Sequence, residues 1–550
     1  MPAPTETTAP PDDAPTGPAP GSAPRRARRE RRALVVFGIL LLSFVLYAPS
    51  IGNDFTWDDR FAAMGDGPHG HPLVAHLRPL GDYFASNWWP HHDPGSQAYR
   101  PLTTLWFALR HALCGDSAVA AHLANVLLHT ATVGLCWLWL RRLGASTRPA
   151  ALGSLVYGLH AIHSEAVANL VGGAELLALA FGLGACLVLQ AGHAAGRRRF
   201  VACAPFAALL LFAAAASKES GLAWVAFAPL CVLVPALHRG RSWTSLRGDV
   251  VVLAATAAVP ATIYLLLRAH MLANLPGGPD AAVGLLENPL LGLPAPARVA
   301  SGVLVLGYGL LLTLLPLHLS VDYGPSQLPV VTSMHDAWLP AAIGAAAVLA
   351  AAVVLGLRNR RRRPFVCLAA ACFFGFSLMT SNVLFPSFTY FAERSFVTPS
   401  LALALLAAWA ARVRASRTML VFHTVLGLWC VASVATALPR NFVFADDATL
   451  VLAEVESSPR SVRLQLCAAM LHERRGHLER ARQHLRTAAA LAPDLPQPWL
   501  ELAALALRQG HADEARGCLQ RAWLADAGER RRCGAMLQEL TARLAAASPR

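Results

Sequence analysis

Charge is what this chain has least of. Only 15% of its 550 residues are Asp, Glu, Lys or Arg, against about 25% in ordinary globular proteins. Lysine is nearly missing: Lys218 is the sole one, so 46 of the 47 basic residues are arginine. No Cys-x-x-Cys pair occurs, and the 11 cysteines fall mostly inside apolar runs. That excludes a zinc ribbon and a disulfide framework and leaves the thiols as small core hydrophobes. A basic face is also lacking. The formal charge is +14, but the arginines sit in short clusters between apolar runs, which excludes a nucleic-acid partner and fits helices oriented in a bilayer.

What is abundant is apolar. Hydrophobic residues make up 55% of the chain and the mean hydropathy is +0.43. Uncharged runs such as Ala33 to Ile51 and Ser117 to Leu140 match the length needed to cross a hydrocarbon layer of roughly 30 Å. The expected fold class is all-α, a polytopic membrane helix bundle of about 11 transmembrane helices with a C-terminal tetratricopeptide-type α-solenoid.

Met1 to Pro24 is Pro, Ala, Thr and Gly, which buries no core. Arg25 to Arg32 then carries six arginines before the first apolar run. Residues 1–32 are therefore expected to be a disordered basic tail held in the cytoplasm by the positive-inside rule. The first run is long for a signal-peptide core and has no evident small-residue cleavage site, so an uncleaved helix is expected. Further clusters at Arg141-Arg142, Arg197 to Arg199, Arg239-Arg241, Arg358 to Arg363 and Arg412 to Arg417 act as cytoplasmic pins. Two long apolar segments separate successive pins, except between Arg241 and Arg358, where three occur. Val299 to Leu319 contains Pro316 and His318 and follows the Pro-rich Asn288 to Pro296. It is assigned as re-entrant or interfacial, which leaves 11 spans, the last near Met419 to Leu438, and an external C-terminus. Residues 33–440 form the transmembrane domain, with residues 52–98 as the first external loop.

After Arg440 the composition turns to Arg, Glu, Gln, Ala and Leu at helical spacing, so residues 441–550 are expected to be a helical repeat domain. Gly476, Ala481, Leu485 and Ala488 recur as Gly510, Ala515, Leu519 and Ala522, each about 34 residues on, which is the tetratricopeptide period. Pro493 closes the first unit, and Trp499 and Leu502 open the second. Two units are fewer than the roughly three that stand alone. Helices near Asp446 to Ser458 and Glu529 to Ala545 are expected to cap them.

The candidate chemistry collects at the external ends of the spans. Thr56-Trp57-Asp58-Asp59 lies in the first loop, and adjacent carboxylates can act as a general base with an orienter or metal ligand, or merely cap a solvated loop. His160-Ala161-Ile162-His163-Ser164-Glu165 ends the third span. If helical, its two histidines share a face, as packing groups or as catalytic or metal groups, with Glu165 nearby. Ser217-Lys218-Glu219 places the lone ammonium at a helix boundary, by need or as a local Lys-Glu pair. Glu393-Arg394 precedes another apolar run, where arginine can bind a lipid phosphate bidentately or snorkel to head groups.

Taken in order, these pieces resemble the GT-C glycosyltransferases, most closely the transmembrane and tetratricopeptide-repeat protein O-mannosyltransferases and their bacterial relatives. The matching stretches are Phe55 to Asp59, Tyr99-Arg100-Pro101-Leu102, His122 to His129, His160 to Ala168, Ser217 to Glu219, Leu319 to Tyr323 with its Asp322-Tyr323 pair, and Glu393-Arg394 leading to Pro399-Ser400. The family commonly has Pro where this chain has Ala161, and Gly-Arg where it has Gly172-Gly173.

The resemblance implies inverting transfer of a sugar, mannose or another hexose, from a polyprenyl-phosphate carrier to an acceptor on the extracytoplasmic face, with Ser or Thr of protein as that acceptor. Its general base carries over to Asp58 or Asp59, with Glu165 as a further catalytic candidate. Arg100, Lys218 and Arg394 are the expected donor-phosphate ligands, and His160, His163, Glu219, Glu393, Asp322 and Tyr323 the expected cavity residues. The lipid-linked sugar is the donor, and use of a divalent metal is left open. Expected partners are the lipid bilayer, the donor and an acceptor protein or peptide presented by the repeats. A bacterial plasma membrane is the expected location, or the endoplasmic reticulum in a eukaryote. The alternatives are a non-enzymatic repeat scaffold and a transporter of lipid-linked sugars, the latter expected to carry mid-bilayer charges and an internal repeat of its helices.

Overall fold

A backbone amide in hydrocarbon finds no water, so a chain this apolar must satisfy its amides within helices. The computed structural model describes residues 22–275, 288–324, 327–333, 335–358, 363–387, 389–412, 416–525 and 538, and among them there are helices and turns but no strand. The longer helices, in chain order, are α1 (Ser22–Tyr47), α2 (Pro101–Cys114), α3 (Ala118–Arg142), α4 (Thr147–Gly158), α5 (Gly173–Ala194) and α6 (Arg197–Ser217). They continue as α7 (Trp224–His238), α8 (Trp243–Ala273), α9 (Ala295–Leu314), α10 (Leu339–Arg358), α11 (Pro364–Ser377), α12 (Leu401–Ala410) and α13 (Ser416–Val443). After the bundle come α14 (Asp447–Ser457), α15 (Val462–Arg474), α16 (Leu478–Leu491), α17 (Pro496–Arg508) and α18 (Ala512–Ala525).

Among the described residues, nine helices, built on α1, α3, α5 to α10 and α13, are long and apolar enough to cross a membrane by length and composition. The bundle is inside-out relative to a water-soluble core. Leu34, Phe37, Val251, Leu266, Val348, Leu420, Leu428 and Val431 are exposed, an arrangement that hydrocarbon tolerates and water does not. Nine stands beside the expected 11 because α4, α11 and α12 fold as shorter apolar helices, whereas α9 is a continuous helix of 20 residues.

One sequence expectation changes, and two features gain a physical account. The prolines that argued for a broken segment at Val299 to Leu319 fall at the ends of α9: Pro294 caps it, Pro296 lies in its first turn where no amide partner is lost, and Pro316 follows its last residue. Both flanks of α9 nonetheless bond to one stretch of chain. Asn288 donates to Asn382 and to the Ser387 carbonyl, each at 2.7 Å, while Ser320 and Tyr323 donate to Glu393. At the N-terminus, α1 begins at Ser22, so Ser22 to Arg32 is helix rather than disordered tail. Arginine and alanine are good helix formers, and a nucleated helix extends at little cost. The tail proper, Met1 to Gly21, lies outside the described residues. Gly172 and Gly173 stand where close packing leaves little room. A Cβ at 172 would meet the Ala166 backbone at 2.4 Å, and one at 173 the Asn125 amide oxygen at 2.8 Å.

The repeat domain follows its period. Gly476 and Gly510 make the two inter-helix turns at φ +75° and +78°, which glycine adopts without strain. Ala481, Leu485 and Ala488 pack into one core with Ala515, Leu519 and Ala522. Helix α14 caps one end. Glu529 to Ala545, expected to cap the other, lies almost wholly outside the described residues. Val451 and Val455 of α14 join Leu464 and Ala468 of α15, and Trp57 and Val321 of the loops pack on them. The repeats are thereby seated directly on the loops that carry the candidate chemistry.

Candidate active site at the loop face

The first loop turns sharply after α1, and its two acids end in opposite environments. Asp59 opens a four-residue helical turn and is fully buried. One of its oxygens accepts the Val171 amide at 3.1 Å and the other the Thr56 amide at 3.3 Å. Burial pushes its carboxyl up to about 7, with these amides opposing the rise and Asp58 adding to it. Asp58 is half-buried, its carboxylate accepts no hydrogen bond among the described residues, and it lies within electrostatic reach of Arg394. The two acids therefore differ: the Asp58 carboxylate is left unbonded among the described residues, whereas Asp59 clamps the turn.

This clamp has a pH signature. The folded-state carboxyl of Asp59 is held above its ordinary 3.8. Between about pH 4 and 7 the folded chain thus keeps a proton that the unfolded chain has lost, and the stability from this group falls as pH rises through that window and is flat above it. The thermal midpoint in nanodiscs should drop across that window more steeply in the wild type than in Asp59→Asn. Equal slopes would show that Asp59 is not buried as described. Glu393, fully buried, is pushed up to about 8 in the same sense, by burial first and then by Glu165, and is common to both proteins.

Three cations form a linked set that reaches this turn through Arg394, and each has a carboxylate partner. Arg394 pairs through Nη1 with Glu165, whose other oxygen accepts the Arg394 amide at 2.8 Å. Lys218 pairs with Glu175, and Ser220 donates to the second Glu175 oxygen at 3.4 Å. Arg100 meets Glu219 at 3.1 Å, lies over the Trp88 ring at 5.1 Å, and is backed by the Tyr99 amide on the other Glu219 oxygen. Lys218 feels both Arg100 and Arg394 electrostatically, so the six charges form one cluster. The glycine at 173 does not orphan its neighbours, because Lys218 and Arg394 supply the cations for Glu175 and Glu165. Side-chain exposure falls from Arg394 at 22% to Arg100 at 16% and Lys218 at 9%.

The remaining expected cavity residues are packed. His160 and His163 lie on a 3₁₀ turn and are buried. His160 caps that turn and bonds the Thr313 carbonyl at 2.9 Å, while His163 bonds Ser400 at 2.8 Å and leans on Tyr157 and His129. Both serve as core groups here. Each ring bonds a carbonyl or a hydroxyl, and the second His163 nitrogen is buried without a hydrogen-bond partner among the described residues. Glu393 accepts from Tyr323 and Ser320 and meets Arg440 at 3.3 Å. Asp322 accepts from Ser461 at 2.7 Å and meets Arg463 at 3.3 Å, which ties it to the first repeat rather than to a cavity.

Among the described residues, one group brings metal-ligand atoms together: Asp66, His111 and Asp116. The Asp116 oxygens already accept the Gly65 and Asp66 amides at 2.9 and 2.8 Å and face His111 at 3.0 Å. These bonds join Gly65 and Asp66 of the first loop to the end of α2.

A family model described as tetratricopeptide repeat matches residues 473–540. The protein O-mannosyl-transferase F38B6.6 of Caenorhabditis elegans is 27% identical over 384 residues, 67% of this chain and 50% of that protein. Mouse protein O-mannosyl-transferase TMTC3 is 25% identical over 472 residues, 82% of this chain and again 50% of the relative. The homologues of this chain are protein O-mannosyl-transferases. The Drosophila melanogaster protein Tmtc2 is 30% identical over 306 residues, 54% of this chain and 31% of that protein. The chain spans about half the length of the first two curated relatives. A solved Archaeoglobus fulgidus oligosaccharyltransferase aligns with 74% of this chain and 55% of its own at a TM-score of 0.39 and 12% identity, too distant a likeness to bear on the site.

Sequence reasoning passed over Arg440, Glu454 and Asp447. Arg440 is buried and bridges Glu393 to Glu454 of α14, at 3.3 and 3.2 Å. A buried arginine between two buried acids leaves no local pattern. Its one signal is an arginine at the external rather than the cytoplasmic end of the last expected span.

Proposed function

We propose that the chain is a membrane glycosyltransferase that moves a hexose from a polyprenyl-phosphate carrier to a Ser or Thr hydroxyl of protein. The observation that carries this reading is Asp58, accessible and without a hydrogen-bond partner among the described residues, beside the Arg394–Glu165 pair. Asp58 takes the hydroxyl proton as the new bond to the anomeric carbon forms and the bond from that carbon to the phosphate oxygen breaks. Arg394, then Arg100 and Lys218, stabilise the charge left on the phosphate. Their carboxylate partners hold them in place and balance their charge. An apolar cavity of about 340 Å³ between α9 and α10, lined by Leu304, Tyr308, Trp338 and Val348, suits part of the isoprenoid tail. Tyr308 touches Tyr323 with ring centroids 5.8 Å apart, which links that cavity to Glu393.

The same reading puts the N-terminus in the cytoplasm, α9 as a re-entrant or interfacial helix, and residues 441–550 outside, where the repeats present the acceptor. A scaffold alone leaves no use for six charges linked in one cluster. The test is direct. The full chain in nanodiscs, given polyprenyl-phosphate mannose and Ser/Thr-rich peptides, should add a hexose mass to the peptide. Absence of transfer with mannose and with other polyprenyl-phosphate hexoses would overturn the proposal.

A further inference from the structure

We propose that Asp447, the first residue of α14, is a positioning residue for Asp58, so that the helix leading into the repeats is part of the scaffold of the active turn. This rests on the proposed function for its catalytic meaning and on geometry for its structural one. Among the described residues only Trp57 and Asn382 are non-glycine residues at positive φ, +49° and +64°. Asparagine adopts that region readily, whereas a bulky residue stays there only when its surroundings impose it. Trp57 directly precedes Asp58, so whatever imposes its conformation also aims Asp58.

The imposing groups come from α14 and its lead-in. The Trp57 amide donates to one Asp447 oxygen at 2.7 Å, and the other Asp447 oxygen meets Arg60 at 3.3 Å. The Asp54 amide donates to the Ala445 carbonyl at 2.8 Å. The Trp57 ring packs on Val451 and Val455 of α14 and on Phe444 and Leu450. Helix capping does not account for Asp447, because Asp446 caps α14 by accepting the Thr449 amide at 2.8 Å. Farther along α14, Glu454 accepts the Val321 amide at 3.0 Å and meets Arg440, which reaches Glu393 beside Arg394. One helix thus touches the turn before the candidate base directly and reaches the residue before the candidate phosphate ligand through Arg440.

The experiment uses the full chain in nanodiscs with two readouts, hydrogen exchange of the segment 54–62 and steady-state transfer from polyprenyl-phosphate mannose. Asp447→Ala should speed exchange of that segment and lower kcat by about 10- to 100-fold, with KM for the donor within about 2-fold. Asp447→Asn keeps an oxygen for the Trp57 amide and loses only a half-exposed ion pair, so it should restore both readouts to near the wild type. Asp446→Ala removes the cap and should loosen α14 without that selective loss of kcat. If Asp447→Ala does not accumulate, Asp447→Glu decides, since it keeps the charge but displaces the oxygen and should lower kcat alone. Unchanged exchange at 54–62, or equal losses in the Ala and Asn variants, would overturn the proposal. A wild type that transfers no sugar would instead overturn the proposed function, and the exchange result would still decide the role of Asp447.

Discussion

Asp58→Asn is expected to lower sugar transfer by about 10²- to 10⁴-fold, the contribution of a positioned base, with unchanged membrane levels and donor binding. Asparagine is nearly isosteric with aspartate but does not accept the hydroxyl proton. Nothing in the fold leans on the Asp58 carboxylate, which accepts no hydrogen bond among the described residues, so the loss should appear in kcat rather than in stability. Asp59→Asn tests the division of labour. Its two oxygens hold the Thr56 and Val171 amides, so this substitution should alter the pH dependence of stability and slow transfer less. An Asp58→Asn enzyme with wild-type kcat would remove Asp58 from the chemistry and make Glu165 the next candidate.

Arg394→Ala should be the most damaging change to the folded chain, destabilising it by about 3 to 5 kcal/mol, the usual result of leaving a buried acid without its cation. Glu165 is 2% exposed, and Arg394 meets both of its oxygens, one through the guanidinium and one through the amide. Arg394→Ala combined with Glu165→Gln removes both charges and should recover much of the thermal stability lost by the single variant. Transfer should not recover with it, because the phosphate would still lack its most exposed cation. Arg394→Lys keeps a charge for Glu165 but gives up the planar fork. It should fold normally and bind polyprenyl-phosphate mannose more weakly. Wild-type donor affinity in Arg394→Lys would reduce Arg394 to a structural partner of Glu165.

Much of the architecture was legible because it is periodic. Uncharged runs, arginine pins and a 34-residue recurrence are patterns along the chain, and the helices of bundle and repeats follow them. Legibility failed where pairing is a tertiary matter. Glu165 and Arg394 lie 229 positions apart and Asn53 and Asn441 lie 388 apart, and no local spacing reports either contact. At His160 and His163 the spacing itself misled. It suggested a shared face, and the rings do stack 5.4 Å apart, but on a 3₁₀ turn rather than an α-helix and buried in the packed bundle. The prolines around α9 proved to mark its ends, which the sequence alone does not show, since a proline at a helix boundary and one within it look alike until the boundary is known.

Lys218 carries the one lysine amine of the chain, is 7% exposed, and is engaged with Glu175. Amine-directed reagents therefore find no second side chain to modify, and the one they can modify is sealed inside the charged cluster. The rate at which an activated ester acylates Lys218 in the intact chain becomes a site-specific clock for the opening of this cluster. It needs no inserted label, and it counts how often the Lys218–Glu175 pair comes apart in the resting protein.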